Sequence, residues 1–426
     1  MRFNFSPEEF IVEEITPNGT LLELGKPLSL GREDDQALER DYFCHFILQK
    51  RGWNTTDALA ALARAAGVSR RRFDFAGTKD RNSTSVQLAS AFTLEPGRLI
   101  AAATRVKDIA INGAWKAREK VKLGAVGGNR FEITLNRGNC GVEPDACAIC
   151  KRAEEFGFVV PNFFGGQRFG SRGNTAEVGR LMLKGDFEAA AMEYLCGTQG
   201  ERNEAAVRAR QELSTGKDFR KAASAFPKHL RFERMMLSHL ARNPTDFVGA
   251  IRKLPRPLEL MFVNAFEAKL FNQALRQRIE RGIASPAVGA HYFNASPITG
   301  FPSAEFRTIE NREEAEAIGA LVADGKAFIA ASLIGTESKL DELERKILHD
   351  EGVAQEDFAT PPMPELASRG TLRAQFIPIK GFEAKTIQEG NAVLLKFSLP
   401  PGAYATAALE FLLGGQTSEI DAKAGP

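Results

Sequence analysis

The residues best suited to do chemistry lie in the stretch Phe75–Gln87, where one carboxylate stands between two cations. Asp80 is preceded by Lys79 and followed by Arg81, and Gly77 comes just before them. Basic neighbours keep a carboxylate ionised, and a glycine permits the turn that holds it in place. Such an acid is suited to act as a nucleophile or a base. A solvated turn whose charges cancel is the alternative.

A second candidate site is the segment that contains Asn129 and Phe131. In a strand these two side chains point to the same side, while Arg130 points away. An aromatic ring beside an amide can stack on a nucleobase and hydrogen-bond a base edge or a sugar. A phenylalanine in a strand is also an ordinary core residue, so the spacing alone leaves both interpretations open.

Positive charge is concentrated in the first third of the chain. Residues 51–137 hold 16 Lys and Arg against 7 Asp and Glu, a local net charge of +9, although the whole chain carries +2. Three arginines, Arg70–Arg72, lead into the Asp80 turn. Four more cations recur at every second residue, where a strand would present them along one face: Lys116, Arg118, Lys120 and Lys122. This pattern favours a phosphate backbone as partner, with the polar face of an edge strand as the alternative.

The stretch Val159–Gly170 reads VVPNFFGGQRFG. Its proline and glycines argue against a regular helix or strand. We therefore expect a structured turn that exposes Asn162, Gln167 and Arg168.

The cysteines and His45 are weak candidates for a metal site. Five cysteines spread through a long chain indicate reduced thiols. Cys147 and Cys150, with Cys140, could hold zinc, but no second pair follows at ligand spacing and the segment has the pattern of an amphipathic helix. His45 lies in an apolar strand without partner ligands, so a core position or an RNA contact is favoured.

Length and periodicity predict two or three domains and an alternation of strand-rich and helical regions. Strands are predicted at Phe10–Ile15, Tyr42–Gln49, Thr84–Leu94, Arg105–Ile111, Thr371–Pro378 and Ala392–Leu399, the last two around a charged loop. Helices are predicted from Asn54, after Pro96 and around Cys147. From Asn174 to Leu366 the pattern is mainly helical, with weaker strands at Ala290–Phe293 and Ala327–Leu333.

In their order along the chain, these motifs resemble the pseudouridine synthase D (TruD) family. Family positions are matched by Gly77, Lys79, Asp80, Arg81 and Gln87, by Gly128, Asn129 and Phe131, by every fixed position of a motif within Val159–Gly170, by Phe271–Arg278, and by an opening that includes Pro7, Phe10 and Glu14. A closing motif begins at Leu399. The chain departs from the family at Asn4, where Lys is usual, at Ser83 and Ser85, and at Glu410 and Phe411.

The resemblance implies an α+β fold in three parts. A catalytic domain with a largely antiparallel mixed sheet and flanking helices would be split into residues 1–160 and 369–426. A mainly helical inserted α+β domain would occupy residues 161–368.

The resemblance also implies the reaction, which is the isomerisation of a uridine in transfer RNA, at position 13 in the D arm, to pseudouridine. Asp80 would be the essential acid, acting on a nucleotide flipped out of its helix, with Lys79 or Arg81 holding it ionised. Asn129 and Phe131 would hold the base, and Arg168 with the basic segment would grip the RNA. Gln87 would support the turn.

The expected partner is transfer RNA or another structured RNA, with no metal, nucleotide cofactor or other cofactor, because the isomerisation transfers no electrons. Composition indicates a cytoplasmic protein, with no run of ~18 apolar residues and no apolar signal core. Two other classes remain open: an RNA-binding protein without activity, and a hydrolase that uses Asp80, which would ordinarily need a second carboxylate or metal ligands.

Overall fold

The structure is a computed structural model that describes residues 3–31, 33–282, 286–387 and 390–414. The strands, in chain order, are β1 Phe10–Ile15, β2 Phe43–Arg51, β3 Phe73–Phe75, β4 Thr84–Phe92, β5 Ile109–Ala117, β6 Gly128–Asn136, β7 Val159–Pro161, β8 His291–Ala295, β9 Pro302–Thr308, β10 Ala327–Leu333, β11 Thr371–Ala374, β12 Phe376–Pro378, β13 Lys380–Ile387 and β14 Ala392–Leu399.

The α-helices are α1 Glu33–Gln36, α2 Thr55–Ala66, α3 Pro96–Ala103, α4 Arg137–Cys140, α5 Ala146–Glu155, α6 Thr175–Leu183, α7 Phe187–Cys196, α8 Glu204–Gly216, α9 Phe219–Ala225, α10 Arg231–Leu240, α11 Phe247–Ile251, α12 Arg256–Arg281, α13 Arg312–Ala323, α14 Glu342–Asp350 and α15 Ala405–Leu412. Short 3₁₀ helices span Arg70–Arg72, Gly166–Phe169, Gln355–Ala359 and Pro364–Leu366. No helix of the described residues is long and apolar enough to cross a membrane.

The largest sheet combines the two ends of the chain. Within the described residues its strand order is β13-β14-β6-β1-β4-β2-β5, with β3 paired to β4 as an eighth strand. The pairing of β1 with β4 is parallel, and the other pairings are antiparallel. The fold is therefore α+β, built on a largely antiparallel mixed sheet, as the sequence predicts.

One face of this sheet is covered at both ends and open in the middle. At one end α2 and α3 pack on apolar residues of β2 and β4, such as Phe46 and Ala89. At the other end α5 and α15 pack on β6 and β14, at residues such as Ile133 and Leu395. Val12 of β1 is paired with both Ser85 and Phe131, so these side chains point to the same face. The gap between the two helix pairs therefore lies over β1.

Local sequence explains why α2 begins and ends where it does. The Asn54 side chain accepts a hydrogen bond from the Asp57 amide, and Gly67 ends the helix with φ 66°. A polar N-cap and a glycine in the left-handed region are the usual helix boundaries. The predicted helix from Asn54 is confirmed, and it fixes Thr55 at the first turn, below the Asp80 turn.

Between the two segments of the large sheet, the described chain is mainly helical. Helices α6, α7, α10 and α12 share a core that includes Val178, Leu195, Met236 and Phe266. A small sheet with the order β11-β10-β8-β9 lies beside them, and β12 pairs with β7. The predicted strands at 290–293 and 327–333 correspond to β8 and β10.

Four predictions about elements need correction. The strand predicted at Thr371–Pro378 is two strands, since β11 pairs with β10 and β12 pairs with β7. The charged loop predicted after Pro378 is the edge strand β13. It pairs with β14, and its side chains alternate between exposed and half-buried along most of its length. The strand predicted from Arg105 begins only at Ile109, because Asp108 adopts a left-handed conformation with φ 59°. In Val159–Gly170, where no regular element was predicted, the first three residues form β7.

Candidate active site

A cleft of about 320 Å³ opens where the middle of the sheet is uncovered. The described residues that line it are Phe10, Val12, Thr78, Lys79, Asp80, Ser83, Asn129, Phe131, Gln167, Gly402, Ala403, Tyr404, Ala405 and Thr406. The structure thus brings together the Asp80 turn, the Asn129–Phe131 strand, one residue of the Val159–Gly170 segment and the closing motif. Asp80 is the one carboxylate among these lining residues.

The turn that carries Asp80 is tied to its neighbours by buried polar side chains. The Gln87 amide donates to the Gly77 carbonyl at 2.9 Å, and its oxygen accepts from the Thr55 hydroxyl at 2.7 Å. The Lys79 amide donates to the same hydroxyl oxygen at 2.8 Å. Gln87 is fully buried, as is Thr55. The expectation that Gln87 supports the turn is therefore confirmed, while the Asp80 side chain remains exposed.

Lys79 does not neutralise Asp80, which corrects one expectation. Its ammonium forms an ion pair with the Glu14 carboxylate at 2.7 Å, and the two side chains are 7% and 1% exposed. The other Glu14 oxygen accepts from the Leu88 amide at 3.0 Å. Burial favours this close pairing, because an unpaired charge there would be costly. Arg81 is exposed, and among the described residues neither cation forms an ion pair with Asp80.

Lys50 is the buried cation that contacts the turn, and no sequence motif points to it. It is fully buried at the end of β2, and its Nζ donates to the Asp80 carbonyl at 2.9 Å and to the Trp53 carbonyl at 2.5 Å. Burial lowers the pKa of Lys50 to about 8; Asp80 opposes this shift and Lys79 adds to it. Strand alternation puts Lys50 on the same face as Leu48 and Phe46, so the sequence pattern predicts a lysine that points into the core.

Asn129 and Phe131 lie on β6, and both line the cleft. Phe131 is 6% exposed and packs against Phe10 and Phe397, with ring centroids 5.9 and 5.7 Å apart. The ring is thus part of the core and part of the cleft wall. The Asn129 Oδ1 atom is buried and has no hydrogen-bond partner in the described structure. It is free to bind a polar group that enters the cleft.

Gly128, the glycine of this motif, is required for a steric reason. A Cβ at Gly128 would lie 2.7 Å from the Phe301 ring and 2.8 Å from the Leu399 carbonyl oxygen. These distances leave no room for a side chain. Phe301 belongs to the β8–β9 connection, so the small sheet packs directly against Gly128, the residue before Asn129.

The exposed turn predicted at Asn162, Gln167 and Arg168 is correct only for Gln167, which is exposed and lines the cleft. Asn162 is buried and donates to the Ala374 carbonyl at 2.9 Å. Arg168 is half-buried, with its guanidinium 5.3 Å from the centroid of the Phe164 ring, and its Nε is buried without a partner in the described residues. Arg168 is not among the lining residues.

Arg373 explains why this segment turns inward. Its guanidinium lies 4.1 Å from the Phe164 ring centroid and donates to the Asn162 side chain at 2.5 Å and to the Gly402 carbonyl at 3.2 Å. It therefore ties the Val159–Gly170 segment to the closing motif, which lines the cleft. No local sequence pattern marks Arg373, because Asn162 precedes it by more than 200 residues and Gly402 lies in a later loop.

The basic segment does not form the predicted one-faced track. Strand β5 ends at Ala117, and the chain then leaves the sheet and re-enters it at Gly128, where β6 begins. Each of the four cations also has an acidic neighbour: Lys116 with Glu95 at 3.4 Å, Arg118 with Asp35 at 3.0 Å, Lys120 with Asp74 at 3.7 Å and Lys122 with Glu119 at 2.7 Å.

The other charged and metal-binding candidates are placed as follows. Arg70 and Arg72 donate to main-chain carbonyls, of Phe73 and Thr93, while Arg71 is exposed. Among the described residues no three His, Cys, Asp or Glu side chains are grouped to hold a metal ion.

Comparison with known proteins identifies the family. The model of the family described as tRNA pseudouridine synthase D (TruD) matches residues 1–410. Relatives assigned as tRNA pseudouridine synthase D from Methanosarcina mazei and Methanopyrus kandleri are 33% and 34% identical. These alignments cover 94% and 92% of this chain and 90% and 91% of the relatives.

A solved structure agrees with this assignment. The crystal structure of a protein assigned as TruD from Methanosarcina mazei matches with a TM-score of 0.74 at 31% identity, over 97% of this chain and 93% of that chain. Sequence and fold therefore agree over nearly the full length. The chain belongs to the tRNA pseudouridine synthase D (TruD) family.

Proposed function

We propose that this protein converts one uridine of transfer RNA to pseudouridine, with Asp80 as the essential acid and the target nucleotide flipped into the cleft. Family membership makes it a tRNA pseudouridine synthase, an isomerase. The observation that carries the assignment to Asp80 is its position as the one carboxylate among the described residues that line the cleft. The family resemblance points to the uridine at position 13.

The reaction needs little beyond a carboxylate and a pocket. The bond between N1 of uracil and C1′ of the ribose breaks, the base turns, and C5 bonds to C1′. The C5 hydrogen then leaves as a proton and N1 takes up a proton, so the product is an isomer of the substrate. No electrons are gained or lost. Asp80 would act by attack on C1′ or through elimination across the ribose, and both routes use the ionised carboxylate beside the sugar. The exposure of Asp80 and its main-chain bonds to neighbours suit both.

The opposite wall of the cleft suits the detached base. Uracil is flat and polar at its edges, so it can stack on an aromatic ring and pair with an amide. Phe131 offers the ring, and Asn129 offers a buried oxygen without a partner. Such a wall would retain the base while it turns. Lys79, whose charge is balanced by Glu14, would contribute shape to the cleft more than charge.

Recognition of the RNA would rest on several exposed cations around the cleft. Arg81 is exposed in the turn itself, and the 51–137 region, which also holds the exposed Arg71, has a net charge of +9. Phosphate contacts of this kind position a nucleic acid without reading its sequence. Arg168 is the predicted contact that the structure supports least, because its guanidinium faces Phe164 rather than the cleft.

The test is to incubate the protein with unmodified tRNA and to map pseudouridine by mass spectrometry, for the wild type and for Asp80→Asn. We expect pseudouridine at position 13 with the wild type and none with the variant, while tRNA binding survives. Asp108→Asn is the matched control, because Asp108 is an exposed turn carboxylate outside the cleft and asparagine tolerates its left-handed conformation.

Two results would contradict the proposal. Wild-type protein that binds tRNA but makes no pseudouridine would favour an RNA-binding protein without activity. Near wild-type turnover by Asp80→Asn would remove Asp80 from the reaction. A hydrolase is disfavoured by the cleft itself, because a second carboxylate does not line it in the described structure.

A further inference from the structure

The least expected charge in the protein is the Lys50 ammonium. Lys50 has no exposed surface, and its stem packs on the sheet face that also carries Gln87 and Ser85. Among the described residues no carboxylate lies within ion-pair distance of its Nζ. Burying an ammonium without a counter-ion is costly, and an apolar side chain of similar size would be more stable there. The Lys50 charge therefore lowers the stability of the fold, so it must make a contribution that an apolar side chain could not make.

The contacts of Lys50 show what it supplies. Its Nζ bonds to the main-chain carbonyls of Asp80 and Trp53, which follow different strands. The Ser83 hydroxyl donates to the same Asp80 carbonyl at 2.8 Å. The peptide of Asp80 is therefore held from two sides, while its carboxylate projects into the cleft. A charged donor makes a stronger hydrogen bond than a neutral one.

The adjacent cations cannot take this role. The charge of Lys79 is balanced by Glu14 at 2.7 Å in a buried pair. Arg81 is exposed, so water screens its effect on Asp80. Lys50 lies in the low-dielectric interior beneath the turn, where a charge acts over a longer distance.

We propose that Lys50 is a positioning residue for the reaction, whose ammonium fixes the main chain of Asp80 and supplies the positive charge that keeps its carboxylate ready to react. This inference rests on the proposed function, because it assumes that Asp80 is the reacting acid. It assigns to a strand residue 30 positions upstream the role that the sequence pattern gave to Lys79 or Arg81.

The charge state of Lys50 then sets an upper pH limit for the reaction. Burial lowers the pKa of Lys50 to about 8, so the ammonium is present below pH 8 and is lost as the pH rises through 8. The charged groups that face it are Asp80, which favours the ammonium, and Lys79, which disfavours it and is itself paired with Glu14. The rate should therefore fall on the alkaline side near pH 8.

The experiment compares Lys50→Met with the wild type in tRNA pseudouridylation, measuring kcat, KM, the melting temperature and the pH profile. Methionine keeps the length of the stem and removes the charge. We expect kcat to fall at least about tenfold, the loss of roughly one charged hydrogen bond to the reacting group. KM for tRNA should stay within about twofold, because Lys50 does not reach the cleft surface, and the melting temperature should not fall.

The pH profile separates this role from a structural one. Wild-type kcat should decline as pH rises through about 8, and Lys50→Met should lack that decline. The wild-type profile needs no variant, so the inference stays testable if the methionine protein fails to fold. Lys269→Met, which removes a lysine paired with Glu351 in the helical part, is the control for loss of a partly buried lysine, and its kcat should be unchanged.

Several results would overturn the inference. These are an unchanged kcat in Lys50→Met, a wild-type profile that is flat from pH 7 to 9.5, or an alkaline decline that persists in the variant. Asp80→Asn in the same assay separates the two claims. If it is active, the proposed function fails. If it is inactive while Lys50→Met matches the wild type, only the role of Lys50 fails.

Discussion

The residues of the cleft are of two kinds: some face the open space, and others hold these exposed residues in place. Asp80 is exposed, whereas Lys79, Gln87 and Lys50 around it are buried and bonded. Phe131 belongs to both groups, since it lines the cleft and packs against two other rings. Its replacement therefore has to be chosen so that packing survives.

Phe131→Leu removes the aromatic face and keeps an apolar side chain in the core. Base stacking on an aromatic ring contributes about 1–3 kcal/mol, so kcat should fall about 5- to 150-fold. The dissociation constant for whole tRNA should change less than threefold, because many phosphate contacts remain. Steady-state kinetics and a filter-binding titration measure the two effects.

The control for this variant is Phe397→Leu, which changes a neighbouring ring that does not line the cleft. It should keep kcat within about twofold of the wild type. A loss of tRNA affinity as large as the loss of kcat in Phe131→Leu would show that the ring serves the fold alone.

Among the elements, the Asp80 turn matters most, because it links β3 to β4 and is held by residues from three other places. Gln87 comes from β4, Thr55 from the first turn of α2 and Lys50 from the end of β2. The geometry of Asp80 thus depends on side chains that never reach the substrate.

Gln87→Leu tests this dependence. It leaves the Gly77 carbonyl and the Thr55 hydroxyl without their buried partner, which costs about 1–3 kcal/mol of unfolding free energy. Urea denaturation should show that loss, and kcat should fall at least about tenfold at a temperature where the protein is folded, because the turn loses its support. If the folded variant keeps wild-type kcat, the turn does not need this bond.

Sequence predicted elements well where the signal was local. Alternation gave β1, and the cap residues Asn54 and Gly67 gave the bounds of α2. The edge strand β13 was missed because its exposed side alternates Glu383 and Lys385, which resembles a charged loop. The basic segment was misjudged because the chain leaves the sheet after Ala117, and no local pattern marks that point.

The site was predictable in its residues and less so in its contacts. The motifs around Asp80, Asn129 and Phe131 do meet in one cleft, although they are far apart in the chain. The sequence did not show which cation lies next to Asp80. Lys79 pairs instead with Glu14, which lies 65 residues earlier in the chain. The burial of Asn162 likewise depends on Arg373, over 200 residues later.

In the whole molecule, the cleft exists because the two ends of the chain share one sheet. In that sheet β13 and β14, from residues 380–399, lie at one edge and pair through β6 with the strands from residues 10–136, and the closing motif from Gly402 to Thr406 forms one wall of the cleft. We propose on this basis the division into residues 1–160, 161–368 and 369–426. Strand β11 pairs with β10 of the middle part, so the second junction is intimately packed.

The burial of the Lys50 charge predicts how the unfolding free energy of the whole protein depends on pH. The pKa of Lys50 is about 8 in the folded protein and 10.5 for a free lysine, so between these values the unfolded chain binds a proton that the folded protein does not. Stability therefore rises with pH in this interval. The unfolding free energy of the wild type, relative to Lys50→Met, should increase from pH 8 to 10.5 by at most about 3 kcal/mol.

Urea unfolding of both proteins at several pH values measures this difference. Using the difference cancels the titration of every group that the two proteins share. A difference that stays constant from pH 8 to 10.5 would show that Lys50 titrates normally and is not held in an apolar site.

The central claim is that the Asp80 carboxylate converts uridine to pseudouridine in this cleft, and the most direct measurement is tritium release from tRNA labelled at C5 of uridine. Bond formation at C5 frees that hydrogen, so release reports the reaction itself. Under single-turnover conditions with saturating protein, we predict release by the wild type and a rate at least about a thousandfold lower for Asp80→Asn. Release by Asp80→Asn at the wild-type rate would contradict the claim.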